Sequence, residues 1–357
     1  MENRPGRPVR LATVATATPP FQADQRQVED FFIRHYSGRL SRRAIEVLGK
    51  FLAHPSIRSR HFAIDSPEGM LESDPDRRIE RFTRWAVDLS AQAALEALAR
   101  AGLEPREVRA LVANTCTGYL CPGLTSYLIE RLDLPRNIRT YDLVGTGCAG
   151  AVPNLQAAAE YLKTNGDDGV ALSVSVEVCS ATFHMEEDVS LLLSNALFGD
   201  GAAAAVLWTR PGGLELVASS CRHQPESREA IRYVYRQGQL HNQLSRKLPL
   251  IVNRAVADAV REVLEGQGLG VADIAHWALH SGGEDIITAI GRELGLPQEK
   301  LLPTRSTLAR YGNLSSPSVL FTLREIMDNG LAPRDWCLMA SFGAGLSAYA
   351  LLLRAMA

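Results

Sequence analysis

A weak internal repeat constrains this chain more than any other feature. Residues 91–103, followed by 108–114, read as a helix, a glycine turn and an apolar strand. Residues 255–269, followed by 274–280, have the same order, and the 166 positions between Gly102 and Gly268 also separate Asn114 from His280. Further on, 125–134 answers 287–296, and the helix opened by Cys148 answers the one opened by Asn313 at a separation of 165. The apolar run 169–176 answers 336–342, and even the first strand, Val9-Arg-Leu-Ala-Thr-Val-Ala-Thr16, resembles Leu214-Glu-Leu-Val-Ala-Ser-Ser-Cys221. Self-similarity at a fixed separation marks a repeated architecture. Strands alternating with helices predict parallel sheets covered by helices. Two such halves packed together predict a duplicated, layered α/β fold, residues 1–211 forming one half and 212–357 the other, with the break at Pro211-Gly-Gly213.

The halves differ mainly in the segment after the first strand of each. The first carries a long, helical, Arg-rich insertion over 21–85, and the second a shorter one over 223–249. Such charge reads either as solvated helix faces or as a basic rim for a phosphate-bearing ligand. The chain's 357 residues, 46% of them hydrophobic, leave room for both halves. A net charge of −2 argues against nucleic acid as the main partner. No run reaches the ~18 apolar residues of a membrane span. The apolar start at 10–17 has a counterpart at 214–221, so it reads as a strand rather than a secretory signal. Six cysteines (116, 121, 148, 179, 221 and 337) are too few for a disulfide scaffold, and Cys116 and Cys121 lack a second close pair for zinc. The expectations are a reducing cytoplasm and no bound metal.

The stretch Tyr141-Asp-Leu-Val-Gly-Thr-Gly-Cys-Ala-Gly-Ala-Val-Pro-Asn-Leu155 reads as a strand, a tight turn and a helix with an apolar side. Cys148 then sits at the first helical turn, where unpaired N–H groups and the dipole lower a thiol pKa. The flanking glycines let a carbonyl approach the sulfur. Corresponding positions of a duplication converge on the shared interface, and three polar residues occupy such positions. Cys148 begins one helix, Asn313 begins its counterpart, and His280 ends a strand. Imidazolium stabilises a thiolate, and a neutral amide can donate to a developing oxyanion without titrating. His241, His184, His54 and His61 read as surface or packing residues. The Gly199-Asp-Gly turn is followed by no Lys-Ser/Thr and is not a phosphate loop, and a Gly-x-Ser-x-Gly elbow is absent.

Thr146-Gly-Cys-Ala-Gly150, Asn195-Ala-Leu-Phe-Gly-Asp-Gly-Ala-Ala-Ala204, His280-Ser-Gly-Gly283, Tyr311-Gly-Asn-Leu-Ser-Ser-Pro-Ser-Val-Leu-Phe321 and Ser341-Phe-Gly-Ala-Gly-Leu346 together resemble a bacterial type III polyketide synthase. This is the chalcone-synthase-like branch of the thiolase superfamily, and the resemblance spans essentially the whole chain. It implies a five-layered αβαβα thiolase-like fold, a homodimer, and iterative use of acyl-CoA and malonyl-CoA as substrates, with no carrier protein and no cofactor. Cys148 would be the acylated nucleophile, with His280 and Asn313 holding the thioester carbonyl and the enolate left by decarboxylation. Phe198 matches the family's aromatic gate, and the second gatekeeping aromatic is replaced by Leu240. Cys116, Thr117, Thr182, Ser315 and Phe342 match cavity positions, and Lys50, Arg58 and Arg60 are the candidates for binding CoA. Two loops depart from the family pattern, at Ser281 and at Ala344.

A ketoacyl-ACP synthase III shares the fold and the same three residues, but it follows its His with Gln-Ala-Asn where this chain has Ser281-Gly-Gly283. A Cys hydrolase would need a triad carboxylate and would leave Asn313 idle. A non-catalytic subunit of the same fold would be expected to lose Cys148. Leu240 and the low aromatic content, 6%, point to a long aliphatic starter and to alkylpyrone or alkylresorcinol-type products.

Overall fold

The structure is a computed structural model that describes residues 7–165, 169–236 and 239–356. The chain opens with strand β1 (Arg10–Ala17) and leaves the sheet for the insertion: β2 (Phe21–Asp24), α1 (Gln25–Tyr36), α2 (Arg42–Leu52) and β3 (Ser59–Phe62). A capping box starts α1, with Gln27 N–H donating to Asp24 at 2.8 Å and the Gln27 side chain accepting from Asp24 N–H at 2.9 Å. The long α3 (Pro75–Arg100) leads back to the sheet, with Pro75 in its first turn and Asp74 as cap. There follow β4 (Val108–Asn114), α4 (Leu124–Arg131), β5 (Arg139–Leu143), α5 (Ala151–Asn165), β6 (Val170–Glu177), α6 (Val189–Leu197) and β7 (Gly201–Trp208). The second half begins with β8 (Leu214–His223) and a hairpin of β9 (Ile231–Arg236) and β10 (Gln239–Leu244). It continues through α7 (Leu248–Glu265), β11 (His276–Leu279), α8 (Glu284–Leu294), α9 (Leu302–Tyr311), α10 (Ser318–Asp328), β12 (Trp336–Gly343) and β13 (Ser347–Ala355).

The strands run in the order β11-β12-β13-β8-β1-β7-β6-β4-β5. Reading outward from the β1/β8 seam, β1-β7-β6-β4 is answered by β8-β13-β12-β11. The seam is short, joining Arg10 to Glu215 and Leu11 to Leu214. Each half-sheet is buried on both faces, which period-2 alternation makes visible. In β4, Ala110 and Val112 pack with α5, while Leu111 and Ala113 pack with α3. In β13, Leu351 and Leu353 face the same central cluster as α5 and α10, while Ala350 and Leu352 face α7. The layers are thus α3 and α4, one half-sheet, α5 and α10, the second half-sheet, and α7 and α8: an αβαβα arrangement. Val152, Leu155 and Leu162 of α5 are at most 2% exposed, and each such side chain contributes roughly 1.5–3 kcal/mol by leaving water.

The expectation of parallel sheets needs correction. Only β4/β5, β4/β6 and β11/β12 are parallel, and the remaining pairs of the large sheet are antiparallel. A parallel partner needs a crossover of a dozen or more residues. The link from β12 to β13 is only Ala344-Gly-Leu346, with Gly345 at φ 119°, so the chain can only double back.

Candidate active site

Cys148 lies in a single 3₁₀ turn, Gly147–Ala149, between the end of β5 and α5, and it is buried. Gly147 takes φ 56°, a conformation glycine adopts without penalty. The end of β12 runs close beneath: a side chain at Gly343 would collide with Thr146 O and Ala149 N. The small residues of both loops are therefore what lets the two halves meet at the sulfur.

His280 follows β11 directly, its N–H donating to Ala340 O at 2.9 Å. Its ring rests edge-on against Phe342, with centroids 4.9 Å apart. Asn313 lies between α9 and α10 and is stitched to the end of α6: its N–H donates to Leu197 O at 2.9 Å, and Gly199 N–H donates to Asn313 O at 3.0 Å. The Asn313 side chain is oriented by its own loop, Oδ1 accepting from Ser315 N–H at 2.7 Å. That leaves Nδ2 as a donor, held only by a long 3.4 Å contact to Gly282 O. Gly282 stands between the two residues. A Cβ there would lie 2.6 Å from Phe342 Cζ and 3.4 Å from His280 Nε2. Both His280 ring nitrogens are buried without a partner among the described residues.

The expected lowering of the thiol pKa is not what the site imposes. Burial pushes Cys148 up to about 12, against the lowering effect of the Ser315 hydroxyl bond, and burial pushes His280 down to about 3. Desolvation is the largest cause for both groups, and it disfavours the charged form of each. Each group alone is thus neutral. A thiolate here gains from an imidazolium beside it, whose attraction offsets part of the cost of burial.

A buried polar network beneath the thiol was missed by sequence reasoning. The Ser315 hydroxyl, on a residue at φ 57°, donates to Cys148 Sγ at 3.2 Å and stands 3.5 Å from Cys116 Sγ. Behind it, the Glu177 carboxylate accepts from Ser316 Oγ at 2.6 Å, Thr117 Oγ at 2.9 Å, Cys116 N–H at 3.0 Å and Thr115 Oγ at 3.2 Å. Ser316 is in turn bonded by Asn114 Nδ2 at 2.8 Å, and Asn154 donates to Asn114 Oδ1 at 2.8 Å. The residue that answers His280 in the first half, Asn114, thus supports the site from behind. Glu177 at the end of an apolar strand carried no signal beyond its own charge.

Cys148, His280, Asn313, Phe198 and Phe342 line one cavity of about 990 Å³. A second cavity of about 430 Å³ shares Leu191, Phe198 and Asn242 with the first and is walled by Phe31, Phe32, Phe62, Ile64 and Phe183, with Thr182 also in its lining. Phe198 and Asn242 therefore form the partition between the chambers. Leu240 lines neither chamber. It pairs with Tyr235, which is 70% exposed, two positions outward along the hairpin from the Asn242/Tyr233 pair. Cys116, Thr117 and Ser315 also lie outside both linings, their polar atoms committed to the network behind the sulfur.

Of the three basic candidates, only Lys50 lines the first chamber. Arg58 is exposed and absent from its lining. Arg60 is 1% exposed, with Nη1 donating to Phe198 O at 2.7 Å and Asn195 O at 2.8 Å and Nε donating to Gln25 at 3.0 Å. It braces the Phe198 backbone and lines the second chamber rather than the first. Two exposed cations that the sequence reading passed over, Arg236 and Arg246, line the same chamber as Lys50. His54 and His241 line it as well, contrary to their reading as surface or packing residues. The insertion's arginines are not all solvated: Arg81 donates to Gly69 O and Ser180 O, tying the insertion to the core.

Among the described residues, no group of three or more His, Cys, Asp or Glu is placed to hold a metal ion, and no helix is long and apolar enough to cross a membrane. The family described as FAE1/Type III polyketide synthase-like protein matches residues 20–264, and the chalcone and stilbene synthase C-terminal domain matches 215–357. A 3,5-dihydroxyphenylacetyl-CoA synthase of Streptomyces toyocaensis is 31% identical, over 96% of this chain and 88% of its own. A 1,3,6,8-tetrahydroxynaphthalene synthase of Streptomyces peucetius subsp. caesius is 28% identical, over 96% and 92%. Among solved structures, PKS-I of the brown alga Ectocarpus siliculosus superposes with a TM-score of 0.91 at 26% identity, covering 99% of this chain and 100% of that one. The tetrahydroxynaphthalene synthase of Streptomyces coelicolor gives 0.89 at 25%, covering 98% and 99%. The chain belongs to the type III polyketide synthase family of carbon–carbon bond-forming acyltransferases.

Proposed function

We propose that this synthase loads an acyl group from an acyl-CoA onto Cys148 and extends it with malonyl-CoA, without a carrier protein, metal or further cofactor. The Cys148 sulfur attacks the starter thioester, its proton passes to His280, and CoA leaves as the thiol by taking that proton. Malonyl-CoA then enters, and its thioester oxygen accepts from His280 and from Asn313 Nδ2. The bond to the carboxylate breaks, CO₂ departs, and the electron pair forms an enolate whose charge those two donors stabilise. The enolate carbon attacks the acyl-Cys148 carbonyl and expels the sulfur as thiolate, leaving the extended chain as a CoA thioester. For the next round the Cys148 thiolate attacks that thioester and takes the chain back, and CoA leaves as the thiol with a proton from solvent. The convergence of sulfur, imidazole and carboxamide on one chamber carries this reading. Lys50, Arg236 and Arg246 on the same lining suit the phosphates of CoA.

The starter is a long aliphatic acyl chain, and the products are alkylpyrones or alkylresorcinol-type compounds. Asn242 in the partition, rather than Leu240, and the apolar second chamber beyond it support that reading. The two Streptomyces relatives make a dihydroxyphenylacetyl-CoA and a tetrahydroxynaphthalene, and their similarity favours the competing reading of a compact aromatic product. A starter panel decides between them. Each methylene that enters the second chamber contributes ~0.8 kcal/mol, so kcat/KM rises about fourfold per CH₂ until the chamber fills. A flat response across chain lengths, or use of malonyl-CoA alone, overturns the aliphatic assignment.

We further propose a cytoplasmic homodimer. All six cysteines are free, as a reducing compartment requires. The β5 strand is an uncovered sheet edge beside exposed Tyr141, Val144 and Tyr119, a surface suited to a second copy of the chain.

A further inference from the structure

The wall of the first chamber carries a second buried imidazole, to which the proposed reaction gives no task. His241 of β10 is only 6% exposed and lines the chamber together with Cys148, His280 and Asn313. Its Nδ1 is buried without a hydrogen-bond partner among the described residues, a property it shares with both ring nitrogens of His280. Buried polar atoms in native proteins are ordinarily paired, and an exception calls for an explanation. For His280 the explanation is the substrate, and His241 faces the same space.

The ring of His241 is also held rigidly. It lies flat on His184, with centroids 4.3 Å apart and planes within 3°. His184 is anchored in turn, its Nε2 3.3 Å from Arg78 Nη1 and its carbonyl accepting from Asn195 Nδ2 at 2.7 Å. Burial first, then Arg78 and His241, push His184 down to about 4, so it is a neutral ring that accepts from the guanidinium. The next residue along β10, Asn242, belongs to the partition between the chambers. His241 therefore stands beside the place where a chain growing from Cys148 must turn.

We propose that His241 determines product specificity by hydrogen-bonding, through Nδ1, an oxygen of the poly-β-keto chain tethered to Cys148. This rests on the reading that such a chain is extended on Cys148. The chain carries a carbonyl or enol on alternate carbons, and an imidazole nitrogen can donate to the one or accept from the other. A partner stacked in place beside the partition selects one register of the chain, and with it the carbon and carbonyl that meet at ring closure.

His241→Phe keeps the ring and its stacking but removes the nitrogen, while His241→Asn returns an amide near the position of Nδ1. We expect His241→Phe to keep Cys148 acylation and malonyl-CoA decarboxylation within about twofold of the parent. The ratio of the main cyclised product to shorter derailed lactones should fall roughly tenfold, equivalent to ~1.4 kcal/mol, and His241→Asn should restore much of it. An unchanged product ratio in His241→Phe overturns the proposal, and so does a parallel loss of decarboxylation, which would mark a structural role. If the parent makes no carrier-free product, the underlying functional reading fails instead. Should His241→Phe not accumulate, the parent decides: loading Cys148 from acetoacetyl-CoA must move the His241 Nδ1 resonance in a ¹⁵N-histidine spectrum, and an unmoved resonance overturns the proposal.

Discussion

Cys148 and His280 are each driven to the neutral form by burial, up to about 12 for the thiol and down to about 3 for the imidazole. Thiolate in this chamber therefore depends on its partner. His280→Ala should slow alkylation of Cys148 by iodoacetamide at pH 7 by at least tenfold, the equivalent of one pKa unit. Equal rates would remove His280 from thiol activation. Glu177 offers a second test at this scale. Burial holds its carboxyl above the ordinary range despite the bonds from Ser316, Cys116 and Thr117. Because the folded value is raised, the unfolded chain releases this proton first. The contribution of Glu177 to stability is then greatest below the unfolded value of about 4.3 and is lost as pH rises through the folded value. The melting temperature of Glu177→Gln relative to the parent should accordingly rise with pH across that window. A pH-independent difference would contradict it. The grouping of Cys148, His280 and Asn313 on one chamber was legible because all three residues fall at matched points of the repeat. Glu177 was not, since a lone acid closing an apolar run looks like an ordinary strand end.

At the scale of elements, the repeat revealed the halves because apolar runs survive duplication, but not the strand directions. A strand buried on both faces reads as the same apolar run whether its neighbour is parallel or antiparallel. The reach of Leu240 was not legible for a related reason. Leu240 and Asn242 are two apart and share a strand face, so only the hairpin register, Asn242 opposite Tyr233, decides which of them reaches the partition. The close approach of β12 to the Cys148 turn yields a prediction about the junction of the halves. Gly343→Val places a side chain against Thr146 O and Ala149 N. It should lower Cys148 acylation by at least tenfold while far-UV circular dichroism stays parental. Parental acylation would mean that the turn tolerates the intrusion.

At the scale of the whole molecule, the duplication explains why the chemistry sits where it does. Each half contributes loops to the middle layer, and the α5 and α10 ends bring Cys148 and Asn313 to one chamber while β11 brings His280. The insertion supplies Phe21, Phe31, Phe32 and Phe62 to the second chamber, and Phe183 and Phe198 come from outside it. The exposed β5 edge predicts a particle of about twice 38.9 kDa in sedimentation, and Tyr141→Lys with Val144→Lys should shift it toward monomer. A monomeric parent would contradict the assigned surface.

In the proposed reaction Cys148 carries the growing chain while His280 and Asn313 generate the nucleophile beside it. Intact-protein mass spectrometry after mixing with an acyl-CoA, and then with malonyl-CoA, tests it most directly. A single acyl adduct on Cys148 is expected, absent in Cys148→Ala. In Asn313→Ala the adduct should form but be extended ~10²–10³-fold more slowly. An adduct at another residue, or extension by Asn313→Ala at the parental rate, would contradict it.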